Sequence, residues 1–148
     1  MKTWARKESG FTIVELLVVI VVIAILASIS VVSYNGIQQR ARDSARDSAV
    51  RSLKLALEVY KSDINTYPAP VAAGTGVNVT ALTSALVPTY ISKIPNDPLL
   101  SKSIDYVTNS SADGYGMLVS YESRDKCKYM VGSNTAPGWW GTGVPTCP

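Results

Sequence analysis

Gly10-Phe11-Thr12-Ile13-Val14-Glu15 is the stretch that decides the fold, because it joins a polar N-terminal segment to an apolar run that ends at Val32. The run from Phe11 to Val32 has 22 residues. As a helix it would be about 33 Å long, enough to cross a bilayer. Its one carboxylate is Glu15. A carboxylate is costly in hydrocarbon, so Glu15 is a candidate functional residue by default.

Three simpler interpretations of the apolar run are open. A secretory signal peptide also starts with basic residues, but its apolar stretch is about 7–15 residues long, and an embedded glutamate is unusual in it. A plain membrane anchor explains the length but gives Glu15 no partner. A buried core helix needs more surrounding protein than 148 residues supply. Filament assembly explains the polar start, the length and the carboxylate together.

Basic residues at both ends of the run bear on its orientation. Lys2, Arg6 and Lys7 precede the run and favour a cytoplasmic N-terminus. Arg40 and Arg42, which follow it, weaken this asymmetry. We expect a single-pass chain with its N-terminus inside and its C-terminal part outside.

The composition argues against an enzyme. The chain has no histidine and two cysteines, so the commonest general base is missing and cysteines alone cannot make a four-ligand zinc site. The sequence contains no recognisable nucleophile–base pair or phosphate loop. Beyond residue 10 the chain carries 11 basic and 10 acidic residues. This near-neutral charge gives no general reason to expect nucleic-acid binding.

Cys127 and Cys147 lie 20 residues apart near the C-terminus. In a domain that follows a membrane-length helix, such a pair favours a structural disulfide. Closing a loop of this length stabilises a fold by about 3 kcal/mol. Two free thiols are the alternative, because the redox conditions outside the host cell are unknown.

Helical spacing continues from residue 34 to residue 64. One stripe of bulky residues predicts the face on which a globular domain packs. Its members are Val50, Leu53, Leu57, Tyr60 and Ile64. A second stripe, of small residues between 41 and 49, would let other helices approach closely, although an ordinary exposed alanine-rich helix is the alternative. Asn35-Gly36 is the one break signal, and a kink is expected there.

Residues 42–49 form a tandem repeat in which Arg-Asp-Ser-Ala occurs twice. Helical spacing places Asp43 near Arg46 and Asp47 near Arg51. Exposed pairs of this kind contribute only a few tenths of a kcal/mol, and pairs between subunits could contribute more. A solvated helix face is an equally good interpretation.

Residues 65–148 predict a small globular head. The helix is expected to end near Ile64-Asn65, and residues 68–79 have the composition of a loop. Thr80 is a candidate cap for a short helix that ends at Leu86. Three strand candidates follow, at residues 104–108, 115–121 and 128–131. The predicted fold class is α+β, a long N-terminal α-helix packed on a small antiparallel β-sheet.

Two parts of the chain resemble type IV pilins and pseudopilins. The stronger resemblance lies in Lys7-Glu8-Ser9-Gly10-Phe11-Thr12-Ile13-Val14-Glu15-Leu16, and a weaker one in Asn65-Thr66-Tyr67-Pro68 and Ile94-Pro95-Asn96-Asp97-Pro98. The resemblance implies that residues 1–10 are a leader and that a prepilin peptidase cuts after Gly10 and N-methylates Phe11. Residues 11–33 would form the membrane span and then the filament core, and residues 34–64 the amphipathic half of the same helix.

The new α-amine of Phe11 is the nearest positive charge available to Glu15. On the same chain it lies about 6 Å away along the helix axis, and on a neighbouring subunit a small axial shift brings it alongside. Such a pair would offset the cost of burying the carboxylate and would fix the register between subunits. The resemblance gives Glu15 the same assembly role.

Four head residues form a weaker candidate patch for DNA or a surface glycan. They are Trp139, Trp140, Lys126 and Lys128. Exposed aromatic rings stack on bases and sugars. The alternative is that the tryptophans cover the sheet edge next to the cysteines.

A calcium loop late in the domain is a further implication of the resemblance. Asn109, Asp113 and Asp125 offer oxygen ligands for it. The acidic pattern is thin, so an uncoordinated turn fits these residues better. No other cofactor is expected.

We expect a structural subunit, first of all a major pilin of a type IV pilus that serves adhesion, twitching motility or DNA uptake. The alternative is a major pseudopilin of a type II-like secretion or competence system, and a membrane-anchored surface binding module is an alternative of another class. The implied partners are identical subunits in a helical filament, the prepilin peptidase, an inner-membrane assembly platform, and membrane lipid before assembly. The implied location is the cytoplasmic membrane before assembly and an extracellular filament afterwards.

Overall fold

The computed structural model describes residues 10–99, 101–132, 139–141 and 143–148, with only the backbone of Val32 and Ser33. The chain divides into two compact units, residues 1–38 and residues 39–148. Helix α1, Ile13–Ile64, contributes to both. Of the predicted leader, only Gly10 lies within the described residues.

The second unit contains all elements after α1. They are strand β1 (Val77–Asn78), a 3₁₀ turn (Val79–Leu82), helix α2 (Thr83–Leu86), and strands β2 (Ile104–Thr108), β3 (Gly114–Val119) and β4 (Cys127–Gly132). The strands form one antiparallel sheet in the order β1-β2-β3-β4. The predicted α+β class and all three predicted strands are confirmed. Strand β1 lies in the segment predicted as a loop. A strand of two residues is too short to be recognised from the alternation of apolar and polar residues.

The core of the head lies between α1 and one face of the sheet. Val50, Leu53 and Leu57 of the predicted bulky stripe are buried there, whereas Ile64 at the end of the stripe is 51% exposed. Periodicity thus identified the packing face correctly. It could not indicate that the head stops covering the helix one turn before its end.

Strand β3 is buried along its whole length. Tyr115 and Met117 join the core on the helix side of the sheet. Gly116 lies between them and faces the rings of Trp139 and Trp140. Because both faces of the sheet are covered, β3 shows no alternation between buried and exposed residues.

Helix α1 ends where the sequence predicts. Asn65 adopts a left-handed conformation with φ of 65°, which Asn tolerates better than most residues. Its N–H donates to the carbonyl of Lys61 at 2.8 Å. Tyr67 then donates its N–H to the carbonyl of Ala112 at 2.7 Å, which fastens the helix exit to the β2–β3 turn.

The structure differs in two ways from the prediction for the short helical segment that ends at Leu86. The cap of the short helical segment is Asn78 and not Thr80, because the Asn78 side chain accepts the Thr80 N–H at 2.9 Å. The segment is divided into a 3₁₀ turn and α2 instead of forming one helix. Helix α1 is helical through Asn35-Gly36, where one glycine costs a helix only about 1 kcal/mol; the kink expected there stays a prediction.

Candidate functional site

The predicted cleavage bond, between Gly10 and Phe11, precedes the helix. Residues 10–12 are non-helical, and α1 begins at Ile13. Phe11 is 89% exposed. Exposed, non-helical backbone is the kind of segment that proteases cut, so the backbone here is compatible with processing at this bond.

Thr12 and Glu15 form a capping box at the start of α1. The Glu15 carboxylate accepts the N–H of Thr12 at 2.8 Å and its hydroxyl at 2.7 Å. The Glu15 N–H in turn donates to the Thr12 hydroxyl at 3.2 Å. Reciprocal bonds of this type satisfy N–H groups that the first helical turn leaves unpaired. Within its own chain Glu15 therefore has a polar partner one turn back, at Thr12. Thr12 is uncharged, so the expectation of a cationic partner does not predict it.

The first half of α1 is apolar on all sides. Its large apolar side chains from Phe11 to Val31 are between 47% and 89% exposed. Ser28 and Ser30 donate their hydroxyls to carbonyls of the same helix, at 2.7 and 2.9 Å. By length and composition alone, α1 contains a segment that can cross a membrane. A helix that is apolar all round is suited to lipid or to other helices.

In the head, the tandem repeat builds a buried ionic cluster around Arg46. The Arg46 guanidinium is 0% exposed. It donates to Asp97 at 2.7 and 2.8 Å, to Asp43 at 2.6 Å and to Glu122 at 2.9 Å. These carboxylates come from the turn before β2, from α1 and from the β3–β4 loop. Arg46 therefore fastens three segments of the head together.

Asp43 holds the β3–β4 loop from the same helix. It accepts the N–H groups of Glu122 and Ser123 and the hydroxyl of Ser123, at distances of 2.6 to 3.2 Å. Arg42 adds a two-pronged contact to Glu122 at 2.7 and 2.9 Å. The predicted pair of Asp43 with Arg46 is confirmed at 2.6 Å. The residues of the first repeat unit thus bind the loop and not solvent.

Asp47, in the second repeat unit, also contacts this loop. Its carboxylate accepts the Tyr121 hydroxyl at 2.6 Å and Arg124 at 2.7 Å. The predicted pair of Asp47 with Arg51 is wrong, because Arg51 donates to Ser48 at 3.0 Å instead. A four-residue repeat places both Arg-Asp units on nearly the same helix face, and residues 121–124 lie along that face.

Hydrogen bonds keep the carboxylates of the cluster ionised. Contacts with Arg42 and Arg46 lower the pKa of Glu122 to about 2, against the opposing effect of desolvation. Burial alone would raise the pKa of Asp43, but the bonds from Ser123, Glu122 and Arg46 outweigh it and lower the pKa to about 2. At neutral pH the cluster is fully charged, which suits a structural clamp.

The structure joins Cys127 to Cys147, so the predicted disulfide is confirmed. Cys127 is the first residue of β4. The C-terminal segment lies beside this strand: Lys128 donates its N–H to the carbonyl of Pro145 at 2.9 Å, and Cys147 donates to the carbonyl of Lys128 at 3.0 Å. The segment covers part of an edge that would otherwise be open to pairing with other chains.

The candidate ligand patch does not form one exposed surface. Trp139 and Lys128 are buried, Trp140 is half-buried and Lys126 is exposed. The Lys128 ammonium donates to the carbonyl of Trp139 at 3.3 Å. The two indole rings lie against Gly116, where a Cβ atom would come within 2.9 Å of each ring. The tryptophans cover a face of the sheet, and Trp139 and Lys128 are closed to a ligand in this arrangement.

The predicted calcium ligands are not brought together. Asn109 and Asp113 lie in the β2–β3 turn, whereas Asp125 lies in the β3–β4 loop. A six-residue strand, about 20 Å long, separates these two loops. Asn109 and Asp113 are hydrogen-bonded to each other. Within the described ranges, no group of three carboxylate, Cys or His ligands could hold a metal, and the three residues named for calcium do not lie at one site.

Residues 5–31 match the family model for the prokaryotic N-terminal methylation motif. This range contains Gly10, Phe11 and Glu15 and extends through most of the apolar run. A methylation motif that opens a membrane-length helix, followed by a head with one antiparallel sheet, defines a pilin-like protein.

Curated relatives extend the similarity beyond this motif. The type II secretion system core protein G of Aeromonas hydrophila is 37% identical over 99 residues, which cover 63% of this chain and 68% of the relative. The same protein of Pectobacterium carotovorum subsp. carotovorum is 36% identical over 98 residues, 62% of each chain. That of Escherichia coli strain K12 is 33% identical over 100 residues, 62% of this chain and 67% of the relative. The comparison with solved structures found no match. This chain belongs to the pilin-like family that includes type II secretion system core protein G.

Proposed function

We propose that this chain is a pseudopilin, a subunit of a filament that serves a type II-like secretion system. The observation that carries the proposal is the similarity to core protein G over 99 residues, 63% of this chain, a much longer stretch than the methylation motif alone. The relatives named above are secretion-system proteins. They favour the secretion alternative over the type IV pilus, the role expected first from the sequence.

Assembly would proceed by an exchange of surroundings for the first half of α1. After cleavage at Gly10, the apolar side chains from Phe11 to Val31 would lie in the cytoplasmic membrane. In the filament they would contact the same helices of neighbouring subunits. Both surroundings keep apolar surface away from water, so the exchange needs no exposure of this helix to solvent.

Glu15 would have a different partner in each state. In the single chain, Thr12 supplies it with an N–H and a hydroxyl. In the filament, the methylated α-amine of a neighbouring Phe11 would approach the same carboxylate. In a low-dielectric core the amine would bring a full opposite charge to the carboxylate, whereas the capping box supplies only uncharged donors, and this difference would favour the assembled state and fix its register.

The function is tested by deletion of the gene in its host and complementation with variants. Proteins in the culture medium and filaments sheared from the cells are both identified by mass spectrometry. We expect the deletion to stop the release of a set of folded proteins, the wild type to restore it, and Glu15→Leu to fail although its level in the membrane is normal. Val14→Leu, a matched apolar change one residue away, should restore release.

Two outcomes would contradict the secretion role. Normal release of proteins by the deletion strain, together with loss of surface filaments or of motility, would favour a type IV pilus. Normal release together with a chain that never sediments with filaments would favour a membrane-anchored binding module.

A further inference from the structure

A groove of about 300 Å³ lies in the head between α1 and β4. Arg51, Lys54 and Arg124 supply three cations to its lining and Asp47 supplies one side-chain carboxylate; Tyr129, Val50 and Pro148 complete the lining. Nothing described so far uses this groove. Its excess of positive charge indicates an anionic ligand.

Two of the three cations are available to such a ligand. Arg124 is neutralised by Asp47 at 2.7 Å. Arg51 donates a hydrogen bond to the Ser48 hydroxyl at 3.0 Å, and the Lys54 ammonium lies 5.3 Å from the centre of the Tyr129 ring. In the described part of the chain, no ion pair includes Arg51 or Lys54.

The extent of the charge favours a single carboxylate over a nucleic acid. A nucleic-acid surface neutralises several phosphates with a stripe of Lys and Arg, whereas two free cations beside one ring match one acidic side chain. A guanidinium binds a carboxylate through two parallel hydrogen bonds, and an ammonium can add a third.

We propose that Arg51 and Lys54 bind a carboxylate of a second copy of this chain, so that the groove is a contact between neighbouring subunits. This inference rests on the proposed function. Helix α1 itself carries exposed carboxylates beyond the groove, at Glu58 and Asp63. They lie about 10 Å and about 18 Å further along the helix axis than Arg51.

The positions of the cations and of the carboxylates along α1 fit a filament. Cations and carboxylates occupy different heights on one helix, so parallel copies pair them only when one copy is displaced along the axis. A contact between two different patches of the same chain repeats without closing, which is how helical filaments form. Glu58 is also held in place, because its carboxylate accepts the Tyr67 hydroxyl at 3.0 Å.

The test is charge reversal in the full chain, produced together with its assembly machinery and measured as sedimentable filament. We expect the double variant Arg51→Glu, Lys54→Glu to lower the filament yield at least tenfold. Combination with Glu58→Lys and Asp63→Lys should restore most of it, whereas these two changes alone should not assemble. Arg40→Glu reverses an exposed cation on the same helix that does not line the groove, and it should assemble like the wild type.

A zero-length carbodiimide cross-link gives a second measurement on the unaltered chain. In filaments made from isotope-labelled and unlabelled copies, Lys54 should be joined to Glu58 or Asp63 of a differently labelled copy. Wild-type yield for the double reversal, absence of rescue in the quadruple variant, or absence of the mixed cross-link would overturn the groove contact and leave the filament role intact. A wild-type chain that forms no filament would instead overturn the proposed function and the groove contact together.

Discussion

Replacement of Arg46 by methionine removes the cation on which three carboxylates converge. Methionine fills much of the same volume, but Asp43, Asp97 and Glu122 then face each other where the guanidinium was fully buried. Loss of one partner of a buried ion pair typically costs about 3–5 kcal/mol. Because Asp43 and Asp97 each keep backbone N–H donors, we expect the lower end, about 3 kcal/mol.

Thermal unfolding of the full chain in detergent, followed by near-ultraviolet circular dichroism, measures this loss in the aromatic core of the head. For a small domain, a loss of about 3 kcal/mol lowers the Tm by roughly 12–24 °C. Arg46→Lys keeps the charge but not the two-pronged contact with Asp97, so its Tm should fall between the two. Arg40→Met, at an exposed position of the same helix, should leave the Tm nearly unchanged. If Arg46→Met melted within two or three degrees of the wild type (on the order of 0.5 kcal/mol), the carboxylates would not need their cation and the reasoning would be refuted.

Four further predictions concern other parts of the chain. The folded-state pKa of Asp43 and of Glu122 is about 2, below the usual value near 4. The stability that these two carboxylates contribute is therefore present at neutral pH and is lost as the pH falls from about 4 to about 2. The Tm measured against pH should drop in this window, and it should drop less steeply in Asp43→Asn. Reduction of the disulfide should remove about 3 kcal/mol of stability without releasing the chain from the membrane fraction, and Cys127→Ser should melt at the lower temperature whether or not reductant is present. Gly116→Val should displace the indole rings of Trp139 and Trp140 at a cost of about 1–3 kcal/mol, and the tryptophan emission of the mature chain should shift to the red. Gly143→Val is the control, because a Cβ atom there meets no atom within 4 Å; it should not shift the emission. Glu15→Gln can keep the capping box but loses the charge, so it should assemble as poorly as Glu15→Leu. Glu15→Asp keeps the charge and should have a milder effect. Assembly of Glu15→Gln at wild-type yield would show that assembly requires the capping box and not the charge.

Local signals in the sequence predicted much of the fold. The end of α1 at Ile64, the packing face with Leu53 and Leu57, and strand β2 all follow from spacing and turn residues within a few positions. The capping box is local too, because Thr12-Ile13-Val14-Glu15 fits the capping pattern without any structure. Because a carboxylate is costly in hydrocarbon, we expected a cationic partner for Glu15, and the nearer uncharged partner, Thr12, was therefore not predicted.

The buried cluster could not be predicted in the same way. Arg46 binds Asp97 and Glu122, which lie 51 and 76 residues further along the chain. Both are in loops whose positions depend on the packed sheet, whereas helical spacing reveals only partners such as Asp43.

Cleavage, methylation and assembly are tested together by the intact mass of the chain in filaments purified from the host. We expect the mass of residues 11–148 with one added methyl group, less the two hydrogens lost in the Cys127–Cys147 bond. This single mass reports cleavage after Gly10, methylation of Phe11, the disulfide and presence in the filament. A filament chain that begins at Met1, or one that begins after Ser30 as a secretory signal cleavage would leave it, would contradict the account.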